Sequence, residues 1–251
     1  MLGIERRRRI MERLNVEKKV HVTELAKSFN VTEETIRRDL ERLEDEDLLH
    51  RSYGGAVLNE QTTGALSFAR RASINNEDKN SIAALAAKLI SNGASLMFDA
   101  STTSLALLPQ LKKKKSLTLI TNSARAIAES LDCPHTLLST GGILKPNALA
   151  LTGAAAGKML ENYFVDFAFI SCKGIDLKKG VLESNEEEGA IKQLMIKQAR
   201  RTILLCDHSK FGAPAFFKIC DVNSLDGLIT DINPGEEWET FCTENKIDLR
   251  F

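Results

Sequence analysis

The sequence predicts a large α/β domain built on a mostly parallel sheet, preceded by a small helical module closed by a hairpin. Three observations predict it. After residue 76, six short apolar runs alternate with helical stretches. Those runs are continuous rather than alternating, as expected of strands covered on both faces. The first sixty residues carry a different pattern of short capped helices and a Gly-Gly turn.

Size and composition agree with that division. The chain has 251 residues, enough for one large core and one small one. Apolar residues make up 43% and charged residues 27%, as in ordinary globular proteins. Lys+Arg and Asp+Glu both number 34, so any nucleic-acid footprint must be local. A basic, polar stretch follows Ile4, and no apolar segment has the length of a signal or a membrane span. The chain is therefore expected in the cytoplasm, with no membrane partner. Cys133, Cys172, Cys206, Cys220 and Cys242 form no C-x-x-C, and Cys172 and Cys206 each end an apolar run. Buried free thiols are expected there. His21, His50, His135 and His208 have no metal-ligand spacing, so no metal is expected.

In the N-terminal part, Ile10 and Leu14 share a face of a helix over Glu5–Leu14. Thr23 is placed to cap a helix over Glu24–Phe29, Asn30-Val31 to turn, and Thr32 to cap a helix from Glu33 to about Asp45. Leu48–Arg51 reads as extended, Gly54-Gly55 as a turn and Ala56–Leu58 as a returning strand. The domain is expected over 1–58, a polar linker over 59–75 and the α/β domain over 76–251.

On a helical wheel, Ile36, Leu40 and Leu43 of the second capped helix face the core. Glu34, Arg38 and Arg42 lie opposite, with Thr35 and Arg37 on the flanks. An arginine pair on an amphipathic helix is in many proteins only a solvated face. Here the order helix, tight turn, capped helix, small hairpin matches a winged helix-turn-helix. The N-terminal half of its second helix points at base edges in the major groove. Arg38 suits a bidentate guanine contact, Arg37 a phosphate, and Arg6–Arg9 further phosphates.

In the larger part, strands are expected at Leu96–Phe98, Leu117–Ile120, Thr136–Leu138, Phe167–Ile170, Thr202–Cys206 and Leu228–Ile229. Helices are expected at Asp78–Ile90, Ser104–Leu111, Ala124–Leu131, Ala154–Leu160 and Glu186–Arg200. Three strand ends carry polar loops: Asp99 with Ser101, Thr102 and Thr103; Thr121 with Asn122; and Gly141-Gly142. In a parallel sheet these loops share the carboxyl edge, where ligands bind, and helix starts there suit a phosphate. Each loop alone would be explained by capping and turning; three in succession point to a site. Lys210, after the strand Thr202–Cys206, adds a cation. No Walker A sequence and no G-x-G-x-x-G is present, so no nucleotide cofactor is expected.

Val22–Ala26, Thr35–Leu40, Leu43-Glu44 and Leu48–Ala56 together resemble the N-terminal signature of the DeoR family of bacterial regulators. Tyr53 stands where the family more often has His, and Asp47 where it usually has Gly. The resemblance continues through the Asp99 loop, Thr121–Ser123, Gly141-Gly142, Gly153, Lys173-Gly174, Glu188…Lys192 and Asp207…Phe211. Ser101 occupies a position where Gly is commoner. The resemblance implies double-stranded operator DNA as partner, contacted by Thr32, Glu34, Thr35, Arg37, Arg38 and Arg42 and by Arg51 and Tyr53 of the wing. It implies an effector domain similar in fold to ribose-5-phosphate isomerase, sensing a phosphorylated sugar or related metabolite. Asp99, Ser101, Thr102, Thr103, Thr121, Asn122, Gly141, Gly142, Lys173, Glu188, Asp207 and Lys210 are the expected effector residues.

The reading is thus a repressor of a carbohydrate-metabolism operon, acting as a dimer or larger assembly, with no catalytic residue. The alternative is a sugar-phosphate isomerase carrying a DNA-binding domain. Such an enzyme needs an acid/base carboxylate and a cation at the sugar, for which Asp99, Asp166, Glu188, Asp207 and Lys210 are available. Against it, catalysis would destroy the signal being sensed. A purely structural module leaves the loops unexplained.

Overall fold

The computed structural model describes residues 3–45, 49–58 and 68–251. Its contacts divide the chain into 1–70 and 71–251. The expected Asp47, Leu48 and most of the expected linker, residues 59–67, lie outside the described residues.

The first unit runs α1 (Gly3–Glu17), β1 (Lys19–His21), α2 (Val22–Phe29), α3 (Glu33–Asp45), β2 (Leu49–Ser52) and β3 (Gly55–Leu58). Ile10, Leu14, Leu25, Ile36, Leu40 and Leu49 are buried in one core, which is the apolar stripe the helical spacing indicated. Asn30 turns between α2 and α3 in the left-handed region, φ 52°. Thr32 caps α3, its Oγ1 accepting from the Thr35 N–H at 3.3 Å. Thr23 does not cap α2. The helix begins at Val22, directly after a strand absent from the sequence reading, and Gly54 O accepts the Val22 N–H at 2.9 Å. The hairpin thus satisfies a helix-start donor that a hydroxyl would otherwise take. The three strands form an antiparallel sheet in the order β1-β3-β2. Gly55 permits it, because a Cβ there would lie 2.0 Å from Val20 O.

The chain continues through α4 (Phe68–Ser73), inside the span expected as linker, and α5 (Asn76–Ala87). Then come β4 (Ser95–Phe98), α6 (Thr102–Leu105), α7 (Leu108–Leu111), β5 (Thr118–Thr121), α8 (Ala124–Glu129), β6 (Thr136–Ser139), β7 (Ile143–Lys145), β8 (Ala150–Thr152) and α9 (Ala154–Leu160). β9 (Val165–Ile170), β10 (Gly174–Asp176), β11 (Gly180–Glu183), α10 (Glu186–Lys197), β12 (Ala199–Leu205), β13 (Phe217–Cys220), β14 (Gly227–Ile229), α11 (Glu236–Glu244) and β15 (Asp248–Arg250) complete it.

Among the described residues, the main sheet has the order β15-β14-β12-β9-β4-β5-β6, and every pairing in it is parallel. Successive strand residues feed two cores. Met97, Ile120, Leu204 and Leu228 pack with α9, α10 and α11; Leu96, Phe98, Leu119 and Ile203 pack with α5, α7 and α8. Both faces are covered, which is why the strands read as continuous apolar runs. Two expected helices change. Ser104–Leu111 divides into α6 and α7, since Pro109 lacks the N–H that would continue the ladder. The helix from Glu186 ends at Lys197, because Ala199 already pairs with Val165.

The strand order decides where a ligand can enter. From β4 the chain builds outward through β5 and β6; from β9 it builds outward the other way through β12, β14 and β15. β4 and β9 are neighbours, so the crevice of this doubly wound sheet opens at their carboxyl ends.

Candidate functional site

The first unit offers α3 and the β2–β3 hairpin as one exposed polar surface. Arg37, Arg38 and Arg42 are exposed on α3, and Tyr53 stands fully out at the hairpin tip. Each arginine nearest the helix start already holds an acidic partner one turn back: Arg37 pairs with Glu33 at 2.9 Å and Arg38 with Glu34 at 3.5 Å. Arg51 reaches from β2 to Glu44 of α3, and Thr32 and Thr35 hydroxyls meet at 2.9 Å. Exposed pairs of this kind cost little to exchange for phosphate. Arg6 departs from the expectation for Arg6–Arg9. It is buried against Asp39, because a carboxylate buried in the core needs a charged donor. Arg8 and Arg9 remain exposed, paired with Glu12 and Glu5.

In the second unit, the loops after β4 and β9 meet around Asp99. This carboxylate is 1% exposed. It accepts from the backbone N–H groups of Ser101 at 3.1 Å and Ser171 at 3.0 Å, and it lies 3.1 Å from Lys192 Nζ. Lys192 also donates to Glu183 and, at 2.8 Å, to Ser171 O. Burial would raise the Asp99 pKa, but the Lys192 charge and the serine hydrogen bonds outweigh it and hold the carboxyl below its usual range. Burial would likewise lower Lys192; Glu183, Asp99 and Glu188 reverse this and hold it charged. Asp99 is thus committed to pinning two strand ends together rather than left open to solvent.

Ser101 caps α6, its Oγ accepting from Ser104 N at 3.0 Å. Thr102 and Thr103 open that helix, and the Thr102 hydroxyl points to Arg71 O at 3.4 Å. Thr121 is fully buried and ties β5 to β4 through Phe98 O at 2.8 Å. Asn122 behaves differently. Its Nδ2 donates to Leu151 O at 3.1 Å, while its Oδ1 is buried with no hydrogen-bond partner among the described residues. Leaving such an acceptor unpaired is costly, so it marks a place where a donor belongs. Gly141 and Gly142 both have positive φ. At Gly142 a Cβ would lie 2.4 Å from Thr152 O, so this glycine lets the loop close on β8.

Cations gather around Lys210. Burial lowers Lys173, and the charges of Lys210 and Arg71 add to this. Lys79 of α5, which the sequence reading did not single out, is 4% exposed and donates to Arg71 O and Ile74 O. Burial lowers its pKa to about 8, with Asp207 opposing and Lys210 and Arg71 contributing. Asp207 accepts from Ser209 and from Asn75 Nδ2 at 3.2 Å. Burial would raise its pKa, yet Lys210, Ser209 and Asn75 pull it down. Glu188 is raised, first by burial and then by Glu183. Of the expected residues, Asp99, Lys173, Glu188, Asp207 and Lys210 belong to one cluster of interacting charges. Lys79, Glu183 and Lys192 were missed as its members. Lys79 and Lys192 sit at buried positions of helices, where a lysine in an otherwise apolar face was the available signal.

Family comparison bears on both units. A model of the DeoR-like helix-turn-helix domain matches residues 6–62, and one of the DeoR C-terminal sensor domain matches residues 74–232. The chain belongs to the DeoR family. This DeoR protein is 41% identical over 235 residues to an uncharacterised HTH-type transcriptional regulator, YulB, of Bacillus subtilis strain 168, covering 92% of this chain and 90% of that one. It is 30% identical over 251 residues to the glycerol-3-phosphate regulon repressor of Escherichia coli K12, covering 99% of each. Among solved structures it is similar to ribose 5-phosphate isomerase A of Methanocaldococcus jannaschii, with a TM-score of 0.42 and 17% identity over 55% of each chain. That likeness concerns the fold alone. The family read from the Thr35–Leu40 and Leu48–Ala56 motifs is borne out. As a DeoR protein it is a DNA-binding transcription regulator with a sensor domain for a small molecule. No helix among the described residues is long and apolar enough to cross a membrane.

Proposed function

We propose that this regulator represses a carbohydrate-metabolism operon and that a phosphorylated sugar, or a related metabolite, controls its grip on DNA. One observation carries the reading: Lys79 and Lys173 both lie within electrostatic reach of Lys210 in the sensor unit, which gathers positive charge there, and Asn122 at the end of β5 adds a buried Oδ1 with no partner among the described residues. Cations call for an anionic group, and a lone acceptor calls for a hydroxyl. A sugar phosphate supplies both. The phosphate sits by Ser101, Thr102 and Thr103 with Lys210 approaching it, and Asn122 receives a sugar hydroxyl. Relatives named for repression of the glycerol-3-phosphate regulon and the aga operon agree with that ligand class.

Sensing rather than turnover fits the carboxylates. Asp99 and Glu183 are held by Lys192, and Asp207 by Ser209 and Asn75, which commits these three to the chain's own groups and leaves Glu188, raised by burial, as the acid/base candidate the turnover assay addresses. One reading head covers a half-site, so a dimer or larger assembly reads a palindrome. The test is a thermal-shift screen of sugar phosphates with DNA titrations in the presence of the best hit. Stabilisation with altered DNA affinity supports the reading. No stabilisation by any phosphorylated compound, or conversion of ribose 5-phosphate to a ketose, overturns it.

A further inference from the structure

We propose that Asp78, His208 and Asp231 form a binding site for one divalent transition-metal cation, with Zn²⁺ the best match to their donor atoms. The inference goes beyond the preceding reading and requires neither DNA nor a sugar phosphate.

Three separate elements bring the donors together. Asp78 stands in the first turn of α5, His208 in the turn after β12, and Asp231 just past the end of β14. β12 and β14 are parallel neighbours, so the residues that follow them emerge side by side at the carboxyl edge. α5 shares one core with both strands, Ile82 and Ala86 packing with Ile203 and Ile229. His208 Nδ1 lies 2.5 Å from Asp231 Oδ2 and 4.0 Å from Asp78 Oδ2. One donor atom from each residue lies within 4.8 Å of the other two. An ion about 2.0–2.2 Å from each ligand fits between them after small side-chain shifts. The His208 side chain is 48% exposed, which leaves room for a water as fourth ligand.

The surroundings hold the ligands in place. The Asp231 side chain is 5% exposed, and its Oδ1 accepts from the His208 N–H at 2.7 Å and the Thr230 hydroxyl at 3.1 Å. Those bonds occupy one oxygen and turn Oδ2 toward the imidazole, as outer partners orient a metal-ligating carboxylate. Charge points the same way. Among the described residues neither Asp78 nor Asp231 pairs with a Lys or Arg; His208 is the partner of both. The neighbouring Lys79 gives its ammonium to Arg71 O and Ile74 O instead. One imidazole against two carboxylates leaves net negative charge in either form of the ring, and a divalent cation neutralises it.

The donor set selects the ion. A ring nitrogen disfavours Mg²⁺ and Ca²⁺, which take oxygen ligands, and the absence of a thiolate from the trio disfavours Cu(I). One imidazole with two carboxylates suits Zn²⁺. Sequence spacing does not mark the site, because its ligands come from distant segments. Asp78 adjoins Lys79, and His208 lies between Asp207 and Lys210. An ion there clamps α5 to the ends of β12 and β14.

Calorimetric titration of the full chain, first stripped with EDTA and then freed of it, tests this with ZnCl₂ and with MgCl₂. The wild type should take up one Zn²⁺ per chain at micromolar affinity or better, and its melting temperature should rise above that of the chelated protein. Asp78→Asn and His208→Gln should each weaken Zn²⁺ binding by about tenfold or more, since loss of even an outer partner of a metal site can cost that much. Both side chains reach solvent, so these variants should fold; Asp231→Asn adds the buried ligand. Co²⁺ in place of Zn²⁺ should give visible d–d absorption without a thiolate charge-transfer band, and His208→Gln should lose it. No Zn²⁺ uptake, unchanged affinity in Asp78→Asn and His208→Gln, or a thiolate band that places the ion on a cysteine overturns the proposal. Mg²⁺ bound as tightly as Zn²⁺ marks a merely acidic cluster and also overturns it.

Discussion

Lys192 Nζ lies 3.1 Å from Asp99 Oδ2, and the two side chains are 6% and 1% exposed. One comes from α10 and the other from the end of β4, so the pair joins a helix to the sheet's switch point. Glu183 shares the same ammonium. Replacing Lys192 by Met leaves two buried carboxylates without their counter-charge. The expected cost is about 3–5 kcal/mol. Denaturant unfolding should show it as a lower midpoint for the sensor domain. A Lys192→Met protein as stable as the wild type would show that the triad holds nothing together.

On the reading head, Arg38→Ala and Arg37→Ala should weaken operator binding without unfolding the domain. Both side chains are exposed and lie off the buried Ile36–Leu40–Leu43 face. A lost bidentate base contact costs about 1–3 kcal/mol. Arg38→Ala should also relax sequence preference, whereas a lost phosphate contact weakens all sites alike. Gel-shift titrations on specific and random duplexes distinguish the two.

Thr102→Ala and Lys210→Met should abolish the response to the effector yet keep DNA binding, since the sensor crevice and α3 belong to different units. DNA titrations of both variants, with and without the best sugar phosphate, provide the check. A normal response in either would move the phosphate elsewhere.

The Lys79 ammonium gives the crevice a pH signature. Burial brings its pKa to about 8. A bound anion favours the charged form, so binding takes up a proton once the pH exceeds that value. Effector affinity should therefore be flat below it and fall as the pH rises through it. Calorimetric titrations across that range test the sign. In Lys79→Met the slope should vanish.

His208 gives stability a pH dependence of the same sign. Its hydrogen bond to Asp231 raises its pKa, against a smaller loss from burial. The resulting stabilisation is present in full below the unfolded value of about 6.5. It is lost as the pH rises through the folded value. Thermal melts should show this slope in the wild type and not in His208→Gln.

The sequence by itself determined most of what depends on near neighbours in the chain. Ile36, Leu40 and Leu43 recur at helical spacing, so the face they bury, and the opposite face carrying Arg38, followed from periodicity. The polar loops at Asp99, Thr121-Asn122 and Gly141-Gly142 could be placed on one edge because parallel strands all end on the same side. The tertiary structure decided what depends on distant parts meeting. β1, β7, β10, β11 and β13 are three or four residues long, too short for a pattern, and exist because a partner strand lies alongside. Thr23 lost its capping role to the carbonyl of Gly54, thirty-one residues away. Asp99 read as a ligand for the effector; only the approach of Lys192 and the Ser171 N–H showed both its oxygens in use. Lys79 was not singled out in the sequence; packing places it beside Asp207 and Lys210. Local spacing encodes which face of an element is apolar. Charge pairing and pKa depend on burial and on neighbours that folding alone brings together.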